Sequence, residues 1–278
     1  MLSFRRRLTR LPNYIRAFGM AEGLTLCVQV ERPLAVQSER LRRFSVSWAK
    51  GPIWLRDTMS DHATFWQCMV AQHYELGRFP HTQRLLDEYR RLVGEGKRPL
   101  IIDGGGNIGL SAIWFAVKFP RAQILVLEPD EANFNVLTQN IAPYRDCVQP
   151  IRGGIWPRPD RLVIDNPASG AAAYRVRPAE QGDRTEARGF TISELLTSSN
   201  HTEALIVKLD IEGSQKVLFE ENTDWVRHCH LIILELDDWQ YPWHGTSRSF
   251  FKCISQYPFE YLISGEHIFC FRDFTVVP

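Results

Sequence analysis

Hydrophobic positions follow two regimes along this chain of 278 residues. Up to about residue 95 they are dispersed among arginines. Phe44-Ser-Val-Ser-Trp48 alternates apolar and polar positions, which predicts a half-buried strand. Ser60 is a cap candidate for a helix running to about Tyr74. Leu85, Leu86, Tyr89, Leu92 and Val93 recur at helical spacing, and Gly94 stops that helix. From Pro99 the rhythm becomes strand, turn, helix, repeated. Leu100–Ile102 reads as a buried strand and Leu110–Phe119 as the helix behind it. Gln123–Glu128 and Glu131–Asn140 make a second pair, and Val148–Ile151 a third strand. Residues 156–190, rich in Pro, Arg, Ala and Gly, predict a loop or hairpin insertion. Thr191 with Glu194 forms a capping box. Ala204–Leu209 and Leu231–Leu236 are two more buried strands. Phe259–Ile263 and Ile268–Phe271, joined by Ser264-Gly-Glu-His267, predict a closing antiparallel hairpin. The pattern implies an α/β fold with a mostly parallel sheet covered by helices on both faces. Residues 1–95 form an N-terminal α+β extension and residues 96–278 the sheet domain.

Charge changes this picture in one place. Residues 1–50 hold ten Arg or Lys and three Glu, a net of +7, leaving −6 for the rest of a chain whose total is +1. So balanced a total gives no sign of a nucleic-acid binder. The first twenty residues carry five arginines and no acid, with Leu2, Phe4, Leu8, Leu11, Ile15 and Phe18 spread between them. They lack the continuous apolar core of a signal peptide and read as a basic amphipathic helix. It is expected to pack on the body with its arginines solvated, and peripheral membrane contact through residues 1–20 is the alternative. Nothing approaches the run of about 18 apolar residues that a membrane span needs. The six cysteines, Cys27, Cys68, Cys147, Cys229, Cys253 and Cys270, show no metal-ligand spacing, which points to free thiols in a reducing, cytoplasmic setting. Cys229 lies between His228 and His230, but neighbours on a strand face opposite ways, so no metal is expected there.

Ligands of such sheets bind beyond the carboxyl ends of the strands. There Asp103-Gly-Gly-Gly-Asn-Ile-Gly109 joins a strand to a helix. Gly104, Gly106 and Gly109 allow a sharp turn and a close ligand approach, and also satisfy the pattern of nicotinamide-dinucleotide enzymes. Asp103 shifts the balance: an acid is ill placed beside a pyrophosphate and well placed for the ammonium of S-adenosylmethionine (SAM). Glu128 ends the next strand, where a carboxylate accepts from both hydroxyls of a ribose. That feature serves either nucleoside ligand.

Leu205-Ile-Val-Lys-Leu-Asp-Ile-Glu-Gly213 and Leu231-Ile-Ile-Leu-Glu-Leu236 follow. With Ile101–Gly109 and Leu127-Glu-Pro-Asp130, these blocks resemble the FkbM family of SAM-dependent O-methyltransferases in order and spacing. Leu55-Arg56, Ser60-Asp61 and Tyr74 are similar to the family's entry segment, so the resemblance spans roughly residues 50–236. Its most specific part is the K-x-D-x-E-G block. Gly105 stands where the family often has Ala, and Gly153-Gly154 where an Asn/Ala-containing turn is usual; both departures are small residues. The resemblance implies a class I, Rossmann-like sheet of seven strands. It also implies methylation of a hydroxyl on a sugar, glycoconjugate or polyketide-type product. The cofactor residues are then Asp103, Gly104, Gly106, Asn107, Gly109, Glu128, Gly154 and Asp210.

Methyl transfer to an alcohol is an in-line displacement, accelerated by alignment and by a base. Asp210 is the first candidate base, with Glu212 and His244 as alternatives and Glu235 to orient either. The aromatic stretch Trp239–His244 follows a strand end and can stack on a sugar. Asp210, Glu235 and Asp237, brought near one another at strand ends, could hold a divalent ion, but without a histidine or second spacing signal no metal is expected. The rivals are an NAD-dependent oxidoreductase, whose sheet usually lacks the closing hairpin, and a catalytically inactive SAM-binding module.

Overall fold

The computed structural model describes residues 2–32, 37–165, 175–183 and 187–273. The side chains of residues 2–8, and with them Arg5, Arg6 and Arg7, lie outside the described residues, as does part of the 156–190 insertion. Helices α1 (Leu2–Phe18) and α2 (Met20–Val30) fold back on each other at Gly19, where φ is 78°. Antiparallel strands β1 (Ser38–Phe44) and β2 (Ile53–Asp57) come next. The strand expected over 44–48 therefore lies earlier, with Phe44 as its last residue, paired to Ile53. Beyond it Val46 is turned into the core by a bend closed from Ala49 N–H to the Val46 carbonyl at 3.0 Å. Alternation alone does not separate a strand from a bend that buries every second side chain.

Helix α3 (Met59–Phe65) starts at Thr58 rather than Ser60, because the Thr58 hydroxyl accepts from Asp61 N–H at 3.2 Å. It ends in one wide π turn, Trp66–Val70, before reaching Tyr74. Helix α4 (Thr82–Gly94) closes the extension.

The main sheet has ten strands, in the order β11-β12-β10-β9-β3-β4-β5-β8-β6-β7. Seven of them form the expected array. Strands β3 (Leu100–Gly104), β4 (Gln123–Glu128), β5 (Val148–Ile155), β9 (Ala204–Leu209) and β10 (Cys229–Glu235) are parallel. Beside β10, β12 (His267–Arg272) runs antiparallel and pairs with β11 (Phe259–Ser264). The insertion supplies the other three: β6 (Asp160–Ile164), β7 (Val176–Pro178) and β8 (Ala187–Phe190), the last parallel to β5. Gly153 and Gly154 thus lie inside β5, not in a turn. A Cβ on Gly153 would stand 2.6 Å from the Arg188 carbonyl, so the missing side chain lets β8 dock.

Successive residues divide between two cores, as a two-sided sheet requires. Ile101, Ile124, Val126, Leu231 and Ile233 face one, and Ile102, Leu125, Leu127, Ile232 and Leu234 the other. Helices α7 (Ile192–Ser198), α8 (Gln215–Leu218) and α9 (Thr246–Ile254) cover the second face. Helices α5 (Leu110–Lys118) and α6 (Glu131–Ile141) cover the first together with the extension, whose Tyr14, Leu26, Phe44 and Phe65 belong to the same continuous core. Among the described residues, no helix is long and apolar enough to cross a membrane.

Candidate functional site

The carboxyl ends of β3, β4, β5 and β9 surround a cleft lined by Gly105, Asn107, Glu128, Gly154, Asp210 and Glu212. Val176 of β7 closes one side, a wall that the sequence reading assigned to an insertion without a role. The glycine turn is fixed by the strand beside it. Gly105 has φ 74°, and a Cβ there would stand 1.8 Å from the Asp210 carbonyl oxygen. Gly105, one of the two departures from the pattern that the chain resembles, is thus a position that this geometry requires to be glycine. Gly104 pairs within β3, Gly106 N–H donates to the Leu127 carbonyl at 2.8 Å, and Gly109, at φ 86°, opens α5.

Glu128 is buried at the head of β4 and accepts from Asn107 N–H at 2.8 Å and Asp130 N–H at 3.0 Å. Burial pushes its carboxyl up to about 8, although those backbone donors pull the other way. Asn133 Nδ2 approaches it at 3.5 Å and in turn accepts from Arg56 Nη2 at 2.6 Å through Oδ1. Arg56 is clamped on buried Asp61 at 2.7 Å. The entry segment therefore reaches the cofactor end of the sheet through Asp61, Arg56 and Asn133. As a second brace, Asn107 Nδ2 donates to Thr64 Oγ1 at 3.3 Å. Asn107 Oδ1 is buried with no hydrogen-bond partner among the described residues.

Asp103 does not present its carboxylate to the cleft. It is fully buried, accepts from Ser111 Oγ at 2.6 Å, and pairs with Lys208 Nζ at 3.1 Å. Lys208 stands opposite it in the β3–β9 register, itself buried, and also donates to the Gly105 carbonyl at 2.7 Å. Burial alone would lower the Lys208 pKa, but Asp103 and Asp210 outweigh it and hold the ammonium charged. The protein's own cation thus stands against the carboxylate that the sequence pattern offers to a ligand's ammonium. Nothing in single-strand periodicity reveals which residues stand opposite each other, so Lys208, although it opens the K-x-D-x-E-G block, has no role of its own in the sequence pattern.

Asp210 lies 3.7 Å beyond Lys208, with its side chain 35% exposed into the cleft. Glu212, Glu235 and Asp237 gather around it. Burial, with Asp210 adding repulsion, pushes Glu212 and Glu235 up to about 8; it pushes Asp237 to about 6, against the Gly213 N–H it accepts at 2.7 Å. Glu212 sits at φ 45°, a left-handed conformation uncommon for a side-chain-bearing residue. Opposite Glu235 in the β10–β12 register stands His267, buried edge-on against Tyr74 and pushed down to about 4 by burial, hence neutral. His244 is not brought to the cleft. It is exposed in a separate surface groove between α8 and α9.

Among the described residues, the metal-type donors that converge are Glu88, Glu203 and His230, not the cleft carboxylates. They stand at the opposite, amino end of the sheet. Arg91 already grips Glu88 through both oxygens, and His230 bonds Glu203.

A model of the methyltransferase FkbM domain matches residues 103–258, more than half of the chain. The chain belongs to the FkbM methyltransferase family. This FkbM protein is 24% identical over 110 residues to the methyltransferase sdnD of Sordaria araneosa, covering 40% of this chain and 32% of that one. It is 25% identical over 151 residues to the hexuronic acid methyltransferase AglP of Haloferax volcanii, covering 54% of this chain and 61% of that one. The match therefore spans under two thirds of either relative. Among solved structures it is similar to the methyltransferase FkbM of Methylobacillus flagellatus KT. Identity there is 11% and the TM-score 0.45, over 96% of this chain and 59% of that one.

Proposed function

We propose that this methyltransferase uses SAM and methylates a hydroxyl of a sugar, a glycoconjugate or a polyketide-type metabolite. The observation that carries the reading is the cleft itself, with Glu128 on one wall and a carboxylate group led by Asp210 on the other. The chemistry of these donors fits SAM on both sides. Glu128 accepts the ribose hydroxyls, and the orphaned Asn107 Oδ1 is a further acceptor beside it. The closely packed glycine turn lets a ligand lie against bare backbone. Asp210 takes the ammonium role in place of Asp103. When bound, SAM supplies an electrophilic methyl group on a sulfonium. Glu212 is the preferred base, because a carboxyl held near 8 matches the pH at which it must remove a hydroxyl proton. Asp210, beside the Lys208 cation, is the alternative base. Trp239 and Trp243 are exposed after β10, where indole faces suit a sugar ring, and a hexuronic acid methyltransferase among the relatives supports a carbohydrate acceptor. The six buried, free cysteines support a reducing, cytoplasmic setting.

Calorimetry with SAM, S-adenosylhomocysteine and NAD tests the ligand. SAM and its product should bind and NAD should not; tight NAD binding without SAM binding would end this reading. With a methylated acceptor in hand, Glu212→Gln should lower kcat by about 10²–10⁴ with little change in SAM affinity, as loss of a base does. Asp210→Asn should weaken SAM binding first.

A further inference from the structure

The outer face of α2 is apolar where a surface helix is ordinarily polar. Met20, Leu24 and Val28 recur every four residues and are 70%, 50% and 52% exposed, while Leu26, Cys27 and Val30 fill the core. The helix cannot roll to hide this ridge. A Cβ on Gly23 would stand 2.6 Å from the Tyr14 carbonyl, so α2 lies pressed against α1 along its inner side.

Exposed arginines lie on the two elements that flank α2 in the chain. Arg16 is exposed near the end of α1, just before the fold-back at Gly19. Exposed Arg40 and Arg43 stand on β1, which is joined to the far end of α2 by Arg42 Nη1 donating to the Gln29 carbonyl at 3.4 Å. The acids of the same layer are engaged. Glu31 is buried against Tyr14 and Arg10, Glu22 accepts from Ser47 N–H, and Glu39 reaches Arg56. Of the described arginines in these elements, Arg10 pairs with Glu31 and Arg42 approaches Asp57, while Arg16, Arg40 and Arg43 are exposed.

We propose that the α1–α2–β1 layer docks on an anionic membrane surface, with Met20, Leu24 and Val28 in the headgroup boundary and the arginines against acidic lipid headgroups. Three side chains bury too little to hold a protein on a bilayer alone, and cations alone are screened within a Debye length; together they give the two signals that stable attachment takes. A second copy of the chain is a poorer occupant, since face-to-face pairing would set the exposed Arg16, Arg40 and Arg43 of one copy against those of the other.

The test is cosedimentation of the full chain with vesicles of phosphatidylcholine, alone or with about 30% phosphatidylserine. The protein should pellet with the acidic vesicles only, and less as salt rises. Met20→Glu with Leu24→Glu should lower the partition coefficient ~10-fold or more, as should Arg40→Glu with Arg43→Glu. All four positions are exposed, so melting temperature and SAM affinity should stay as in the parent. Protein left in the supernatant with acidic vesicles would overturn the proposal. So would equal binding to neutral vesicles, or unchanged binding by the Met20→Glu/Leu24→Glu variant. A dimer abolished by Leu24→Glu, with no vesicle binding, would give the ridge to a second copy and overturn it as well.

Discussion

Glu128 owes its unusual proton affinity to the burial that shapes the cleft, and Glu212 and Glu235 share it. All three are pushed up to about 8, from an ordinary value of 4.5. An acid whose pKa is higher in the folded chain binds more protons there than in the unfolded one. Its contribution to stability is complete below about 4.5 and is lost as pH rises through about 8. A cationic ligand, and a ribose held by charge-assisted hydrogen bonds, want the opposite, ionised state. The melting temperature of the ligand-free protein should therefore fall between about pH 5 and 8 and level off above that, while SAM affinity rises as pH passes about 8. Scanning calorimetry and titration across that interval check both signs, and a flat affinity profile would mean that these carboxylates do not face SAM. Glu128→Gln should weaken SAM binding by at least ~1.5 kcal/mol at the high-pH end, where a charged partner is lost.

Between elements, the pairing that matters most joins β3 to β9. Asp103 and Lys208 stand opposite one another with almost no solvent access, and the lysine reaches on to the glycine turn and towards Asp210. A buried pair of this kind contributes little net stability against apolar residues of the same size, yet removing one partner strands a charge. Lys208→Met should cost about 3–5 kcal/mol in urea unfolding, and Asp103→Asn added to it should recover most of the loss. A single substitution costing under ~1 kcal/mol would mean that water already reaches the pair. The double variant keeps the sheet but loses the cation that orders the turn, so its SAM affinity should still fall.

At the scale of the whole molecule, the extension shares one hydrophobic core with the sheet rather than standing as an appendage. Tyr14 is fully buried, hydrogen-bonds Glu31 at 3.0 Å, and shares its core with the central strands. Tyr14→Ala should destabilise the protein by about 3–5 kcal/mol, the usual cost of an emptied aromatic site. Removing residues 1–20 should likewise lower the melting temperature. SAM affinity measured well below that temperature should stay close to that of the full chain, since the braces on the cleft come from Arg56, Asp61 and Thr64. Affinity lost in a truncated but folded protein would put α1 into the pocket's support.

Period and punctuation in the sequence determined the parallel strands, their helices, the glycine turn and the strand-end position of Glu128. Each of these depends on neighbours within a few residues, where hydrophobic spacing and backbone sterics decide the outcome. The K-x-D-x-E-G block likewise marked Asp210 and Glu212 as cleft residues. Tertiary structure alone decided what faces what. Asp103 looked like a ligand group until the register set Lys208 against it, and His244 looked like a base until α9 carried it to another surface. The three strands of the insertion, Val176 on the cleft wall and the link from Asp61 to Glu128 all join residues distant in the chain. Their pairing rests on which backbones can approach closely enough to bond, as where bare Gly153 admits β8, and single-strand patterns carry no record of that.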